Sequence, residues 1–399
     1  MKLSEELQWR GFVAEHTLDD ISDLDKAPKK FYLGVDPSAP SMTIGNLAAL
    51  MMVKCFMRYG YEATLLAGGA TGQIGDPKEN GERDLKPLEE VEANVRAIEE
   101  QFRRIAGENF EIVNNNDWFA EIRFIPFLRE VGKQFSMTQL LDRKFVQDRI
   151  GGGGSGISYA EFSYSLIQGY DFLHLYREKG IALQLCGADQ FGNCVSGVHL
   201  IKRLEGTEVD VWSCPLIIDK VTERKFGKSE GNAIWLDAGM TSVFDFYQFW
   251  LGQSDEGVED YLKIYTLIEP EESTKLMAEH NAKPNERMAQ KKLAYEVTKI
   301  VHGEEKAIGV ARTTEILFSG DKPSDTDFDL LAEFIPAVDR GITVVDALVQ
   351  TGIVSSKAEA RQLIKSGAIV VAGHKISDDL LIEERALVKR GKNKFILVR

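Results

Sequence analysis

Residues 31–58, FYLGVDPSAPSMTIGNLAALMMVKCFMR, decide the fold. Phe31-Tyr32-Leu33-Gly34-Val35 is an apolar run closed by Asp36-Pro37, which reads as a buried strand bounded by turn punctuation. A helical pattern follows, with Ser41 or Thr43 as its cap. Leu47, Leu50, Met51, Lys54 and Cys55 recur at helical spacing until Gly60 stops it. A strand running into a loop and a helix N-terminus aims free backbone N–H groups and the positive end of a helix dipole at one spot, which suits phosphate. An ordinary α/β crossover has the same outline, so this unit alone sets a fold class and not a function.

The 399 residues allow two or three domains around a large core. Hydrophobic residues make up 44% of the chain and no uninterrupted apolar run reaches membrane length, so a soluble protein with no membrane partner is expected. The start, MKLSEELQWRGFVAEHT, mixes acids with apolar residues and lacks a signal-peptide core, which points to the cytoplasm. Cys55, Cys186, Cys194 and Cys214 are too few and too irregular for a disulfide framework or a zinc site, so reduced thiols and no protein-bound metal are expected. A net charge of −14 argues against indiscriminate nucleic-acid binding. Residues 341–399, however, hold ten Lys and Arg against six Asp and Glu, which makes this stretch the best patch for RNA.

Working outward from the first unit, residues 62–67 read as a second strand running into Gly68-Gly69-Ala70-Thr71-Gly72-Gln73-Ile74-Gly75-Asp76, where dense glycine lets backbone pass close to a ligand. Asp76 can pair with an ammonium group or cap the next turn. Lys78-Glu79-Asn80-Gly81-Glu82-Arg83 is a charged loop, residues 88–105 a charged amphipathic helix, and Glu111-Ile112-Val113 a strand before the turn-forming Asn114-Asn115-Asn116-Asp117-Trp118. Phe124, Phe127, Leu128, Val131 and Phe135 stand at helical spacing, the mark of core or subunit interface, and Gly151-Gly152-Gly153-Gly154-Ser155 is a flexible connector by composition.

Residues 157–171 read as a helix in which Tyr164, Gln168 and Asp171 share one face at i, i+4 and i+7. The segment has no Lys or Arg and is mostly apolar, aromatic or small, so it is buried and its polar groups need partners. A strand at 181–185 ends in Cys186-Gly187-Ala188-Asp189-Gln190-Phe191-Gly192-Asn193, where Asp189 can accept both hydroxyls of a ribose or cap a helix. Lys225-Phe226-Gly227-Lys228-Ser229 is solvated charge or a phosphate ligand. Residues 244–318 are helical, 322–329 read as a linker, and Lys357, Arg361 and Lys365 form a basic stripe at i, i+4, i+8 before the basic run at Lys389-Arg390-Gly391-Lys392.

Taken together, Ser41-Met42-Thr43-Ile44-Gly45-Asn46 and Lys225-Phe226-Gly227-Lys228-Ser229 resemble the two ATP-binding signatures of class I aminoacyl-tRNA synthetases, usually written HIGH and KMSKS. The sequence between them resembles the bacterial tyrosyl branch of that family. The resemblance implies an α/β, Rossmann-like nucleotide-binding catalytic domain at 1–220 with a dimerisation insertion near 119–160. A signature loop and helical anticodon-side domain at 221–330 and a small C-terminal α+β RNA-binding module at 336–399, similar to one in a ribosomal protein, would follow. The implied reaction joins tyrosine to ATP as tyrosyl-adenylate and transfers tyrosyl to the 3′ end of tRNA(Tyr), with Mg²⁺ accompanying the ATP and a homodimer as the working form.

The resemblance also implies roles by position. Lys225, Lys228, Ser229, Thr43 and Asn46, with Lys78 and Arg83, would stabilise charge during catalysis. Gly34, Asp36, Ser38, Gly45, Gly187, Asp189 and Lys228 would hold ATP. Tyr32 and Asp171 would meet the phenolic hydroxyl of tyrosine, Asp76, Tyr164 and Gln168 its amino group, and Thr71, Asn115 and Gln190 would complete that site. Lys357, Arg361, Lys365, Lys389, Arg390 and Lys392 would touch tRNA. A desolvated pair such as Asp171 and Tyr32 rejects a ligand lacking the hydroxyl, and tyrosyl-tRNA synthetases are themselves the standing instance of that rule, at about 10⁵.

Two departures stand out. Cys186 and Phe191 replace the usual Gly and Trp of their motif, and Thr43 and Asn46 replace both signature histidines. Thr and Asn can donate hydrogen bonds but carry no positive charge. This keeps open a synthetase-like RNA-binding protein that has lost activation, while a tryptophan-specific relative is disfavoured by Tyr32 and Asp171.

Overall fold

The computed structural model describes residues 1–76, 84–137, 141, 144–150, 156–226, 228–229, 232–319, 323–391 and 393–399, with backbone only at 144–145, 148, 228–229 and 232. In chain order, helix α1 (Leu3–Arg10) precedes β1 (Lys30–Val35), α2 (Ile44–Arg58), β2 (Glu62–Ala67), α3 (Leu88–Ala106) and β3 (Phe110–Asn114). Then come α4 (Tyr159–Lys179), β4 (Leu183–Gly187), α5 (Phe191–Glu205) and β5 (Asp210–Cys214). The five strands form one parallel sheet in the order β3-β2-β1-β4-β5. Phe31, Tyr32 and Leu33 are consecutive and all buried, as expected where helices cover both faces of a parallel sheet.

The chain steps from β1 to β2 and β3 on one side, then returns to β4 and β5 on the other. The direction of winding therefore reverses between β1 and β4, and a crevice opens outside their carboxyl ends. This is the α/β, Rossmann-like class expected from the sequence. Thr43, not Ser41, caps α2, in a reciprocal box with Asn46. Ser41 instead accepts the Asp237 N–H.

The chain divides into two compact units, Met1–Thr241 with Gln253–Leu293, and Ser242–Gly252 with Ala294–Arg399. The second unit carries helices Val243–Leu251, Glu304–Ser319 and Asp325–Phe334, then a five-stranded sheet built on Ala386–Arg390 and Lys394–Val398. Val344, Leu348, Ile364, Ile369, Val388 and Ile396 form its core. The linker read at 322–329 gives way to a helix from Asp325, because Ser324 and Asp327 exchange hydrogen bonds as a capping box and satisfy the first orphan N–H groups. No helix among the described residues is long and apolar enough to cross a membrane.

Candidate active site

The crevice at the switch point is a cavity of about 430 Å³. β1 and the loop after it supply Tyr32, Gly34, Asp36 and Ser38, the start of α2 supplies Thr43, Gly45 and Asn46, and the loop after β2 supplies Thr71 and Asp76. α4 contributes Tyr164, Gln168 and Asp171, the end of β4 Gly187, Asp189 and Gln190, and the signature loop Lys225. Segments far apart in sequence thus meet at one place.

At the closed end, Asp171 is 2% exposed and accepts hydrogen bonds from Asn115 Nδ2 at 3.1 Å and Trp118 Nε1 at 3.0 Å. Burial pushes its carboxyl up to about 8; the two donors pull it down only in part, and the Asp36 carboxylate adds to the rise. Tyr32 is 1% exposed and its hydroxyl has no partner among the described residues. Burial raises that phenol well above its ordinary value, with Cys194, Asp171 and Cys186 adding to the shift. An orphan hydroxyl costs about 1–3 kcal/mol, which a ligand hydroxyl at this point would recover. Gln168 Oε1 is likewise buried without a partner among the described residues, its Nε2 donating to Cys194 Sγ at 3.5 Å.

A second set of bonds runs along the cavity floor. Asn115 Nδ2 also donates to Thr71 Oγ1 at 3.2 Å, the Thr71 hydroxyl donates to Asp36 Oδ1 at 2.6 Å, and the Tyr164 hydroxyl donates to Asp36 Oδ2 at 2.8 Å. Asp76 accepts from Gln190 Nε2 at 2.9 Å and Asn193 Nδ2 at 3.3 Å. A Cβ at Gly68 would run into Asp36 Oδ1 and Thr71 Oγ1, so this glycine makes room for the protein's own carboxylate. Besides the proton-bearing Asp171, the lining holds Asp36, Asp76 and Asp189 against Lys225 as its described cation, an excess that favours an ammonium-bearing ligand.

The other end is open. Lys225 and Asp189 are exposed. Thr43 N–H and its hydroxyl both donate to Asn46 Oδ1, at 3.0 and 3.1 Å, which leaves the Asn46 amide nitrogen as the donor group of the pair. The first signature is joined through backbone to the segment that follows the second: Leu236 N–H donates to the Met42 carbonyl at 2.9 Å, Ile44 N–H to the Ile234 carbonyl at 3.1 Å, and Thr43 pairs with Trp235. Lys228–Ser229 pairs antiparallel with Asn232–Ala233. Lys78 and Arg83 lie outside the described residues.

Asn115 does not line the cavity. It is fully buried behind it, holding Asp171, Thr71 and the Ala70 N–H. Trp118 was missed because a tryptophan closing a polar turn gives no hint of its acceptor, and Gln184, level with Tyr32 in register and buried with its Oε1 unpartnered among the described residues, gave no periodic signal. In the second unit Arg361 and Lys365 are exposed, Lys357 pairs with Asp346 at 2.7 Å, and Lys389 lies over the Phe318 and Phe395 rings. Arg390, its side chain 32% exposed, turns inward to donate to the Ile353 carbonyl and to Glu359. Lys392 lies outside the described residues. The apolar stripe at 124–135 splits, with Val131 buried and Phe124 exposed; Ile125 and Met137 are exposed as well.

A family profile described as tRNA synthetases class I (W and Y) matches residues 24–319, and one described as Tyrosine--tRNA ligase SYY-like C-terminal domain matches 327–398. The chain is 39% identical to a tyrosine--tRNA ligase of Latilactobacillus sakei, over 99% of this chain and 98% of that one. It is 40% identical to a tyrosine--tRNA ligase of Bacteroides fragilis, over 100% and 99%. A C-terminally truncated mitochondrial tyrosyl-tRNA synthetase from Aspergillus nidulans superposes with a TM-score of 0.71 at 29% identity, covering 79% of this chain and 94% of that chain.

Proposed function

The chain belongs to the class I tRNA synthetases of the tryptophan and tyrosine type, and from that premise we propose that it is a tyrosine-tRNA ligase working through the cavity between β1 and β4. A carboxylate oxygen of tyrosine attacks the α-phosphorus of ATP, the bond to the bridging oxygen breaks, and pyrophosphate leaves with its electron pair. The terminal ribose hydroxyl of tRNA(Tyr) then attacks the acyl carbon of tyrosyl-adenylate and AMP departs. No protein nucleophile is required, so catalysis is positioning plus charge stabilisation.

The observation that carries this reading is the orphan Tyr32 hydroxyl beside the buried Asp171 carboxyl, at the closed end of a cavity whose mouth holds Lys225. Tyrosine enters with its phenol against Tyr32 and Asp171. Its ammonium faces Asp76, Gln168 Oε1 and the lone pairs of the Tyr164 hydroxyl, with Thr71, Asn115 and Gln190 supporting these groups. Asp189 takes the ribose, Gly34, Ser38, Gly45 and Gly187 leave backbone room for the nucleotide, and Asp36 braces the wall between the two ligands. Lys225, Lys228 and Ser229, with Thr43, Asn46, Lys78 and Arg83, meet charge developing on pyrophosphate. ATP enters as its Mg²⁺ complex, because a tetra-anion would otherwise face the carboxylates of Asp36, Asp76 and Asp189.

The exposed Phe124, Ile125 and Met137 support a homodimer through the insertion near 119–160. The catalytic domain is assigned to 1–220, the signature loop that serves it and the helical anticodon side to 221–330, and tRNA contact in 336–399 to Lys357, Arg361, Lys365 and Lys389, with the cytoplasm as the working compartment. Tyrosine-dependent exchange of labelled pyrophosphate into ATP tests the reading. Tight tRNA binding without exchange would instead support the reading in which Thr43 and Asn46 mark lost activation.

A further inference from the structure

Residues 217–226 form a hairpin that ends in the signature loop. Phe226 N–H donates to the Ile217 carbonyl at 2.9 Å, Asp219 N–H to the Arg224 carbonyl at 2.9 Å, and Ile218 pairs with Lys225. The Asp219 carboxylate closes the turn by accepting the Val221 and Thr222 N–H groups at 3.1 and 2.7 Å. Successive side chains of an extended strand point to opposite faces. Lys225 is accordingly exposed while Phe226 is buried, although both border the cavity.

The Phe226 ring stacks on Tyr261 of helix α6 (Val258–Tyr265), with centroids 4.2 Å apart and planes 26° from parallel, and Tyr265 stands 5.9 Å away. The Tyr261 ring thus holds the strand of the hairpin that carries Lys225. Lys220 and Asp260 add a surface ion pair at 3.0 Å, which contributes little. A Cβ at Gly257 would meet the Tyr261 ring at 2.7 Å, so glycine there keeps the ring in place. α6 is itself fixed from below. Arg10 of α1, 3% exposed, donates to the carbonyls of Lys263 and Thr266 at 2.8 Å each and of Ile268 at 3.0 Å.

We infer that Tyr261 is a positioning residue for the pyrophosphate-binding lysine: it anchors the 217–226 hairpin through Phe226 and so sets where Lys225 meets the leaving group. The inference rests on the role given to Lys225 above. A displacement of about 1 Å at a group that acts in the transition state costs about 10²-fold in rate. The anchor touches no substrate, so its loss falls on the chemical step and on ATP, not on tyrosine binding.

Tyr261→Leu removes ring and hydroxyl; Tyr261→Phe keeps the ring. In pyrophosphate exchange the Leu variant is expected to lose about 10²-fold in kcat and to raise the KM for ATP, with the KM for tyrosine within about twofold of the parent and the Phe variant within about threefold throughout. Backbone amide exchange of residues 217–226 is expected to quicken about tenfold in the Leu variant while that of α2 is unchanged. Should Tyr261→Leu fail to fold, Gly257→Ala, which displaces the same ring, is expected to lower kcat in the same pattern by about tenfold. Parent-like kcat and parent-like amide exchange would overturn the inference, as would equal losses for tyrosine and ATP, the mark of a loosened fold. If the unsubstituted protein supports no tyrosine-dependent exchange, the functional reading falls instead. The amide-exchange arm then decides the anchor alone: quickened exchange at 217–226 upholds it, unchanged exchange removes it.

Discussion

At the closed end of the cavity Asp171 and Tyr32 are desolvated, and Asp171 is already held by Asn115 and Trp118; at the mouth Lys225 is exposed and Thr43 bonds only the Asn46 carbonyl oxygen, leaving the Asn46 amide nitrogen as a donor. The difference teaches how one cavity divides two tasks. Recognition of a small hydroxyl needs groups that suffer when it is missing, and only buried groups do. Charge stabilisation must rise between ground and transition state, which a solvated lysine on a loop supplies as phosphate arrives. Substitutions at the closed end should therefore act on tyrosine, and those at the mouth on turnover.

Asp171→Ala should show the largest effect, lowering kcat/KM for tyrosine by about 10³-fold or more with the KM for ATP within about threefold, as measured by pyrophosphate exchange. If ATP suffers equally, the two ends are not separate. Lys225→Ala should reduce kcat by about 10²-fold and leave tyrosine affinity in equilibrium dialysis unchanged. Replacing Arg361 and Lys365 together by Ala should raise the KM for tRNA about tenfold and flatten its salt dependence, with exchange untouched. Tyr32→Phe should raise the KM for tyrosine by about fivefold, yet stabilise the ligand-free protein by about 1 kcal/mol in urea unfolding, because an orphan hydroxyl is gone.

The smallest effect concerns pH. A carboxyl neutral up to about 8 in the fold, but ionised above about pH 4 when unfolded, binds an extra proton in the native state between those values. Its contribution to stability is complete below pH 4 and is lost as pH rises to 8. The melting temperature of the unsubstituted protein relative to Asp171→Asn should thus fall by a few degrees from pH 5 to pH 8 and then level. A flat difference would place Asp171 in a wetter setting than the closed end provides.

Much of this was legible in sequence, for local reasons. Apolar runs ending at Asp-Pro or Gly located β1 and β2, and the i, i+4, i+7 spacing placed Tyr164, Gln168 and Asp171 on one face of α4. Periodicity reports which residues share a face, not what lies opposite. The bonds from Trp118 to Asp171, from Gln168 to Cys194 and from Tyr164 to Asp36 join separate elements, and no local pattern encodes them. The same limit hid Asn115 behind the wall and Arg390 turning inward. The segment at 322–329 misled for a different reason: Pro, Ser and Asp mark both a linker and a capped helix start.

The most direct test of the account is the ratio of kcat/KM for tyrosine to that for phenylalanine in pyrophosphate exchange, before and after Asp171→Ala. The account predicts a ratio of about 10⁵ that drops by about 10³-fold or more in the variant, with tryptophan inert in both. A low ratio in the unsubstituted protein, or one that survives the substitution, would contradict it.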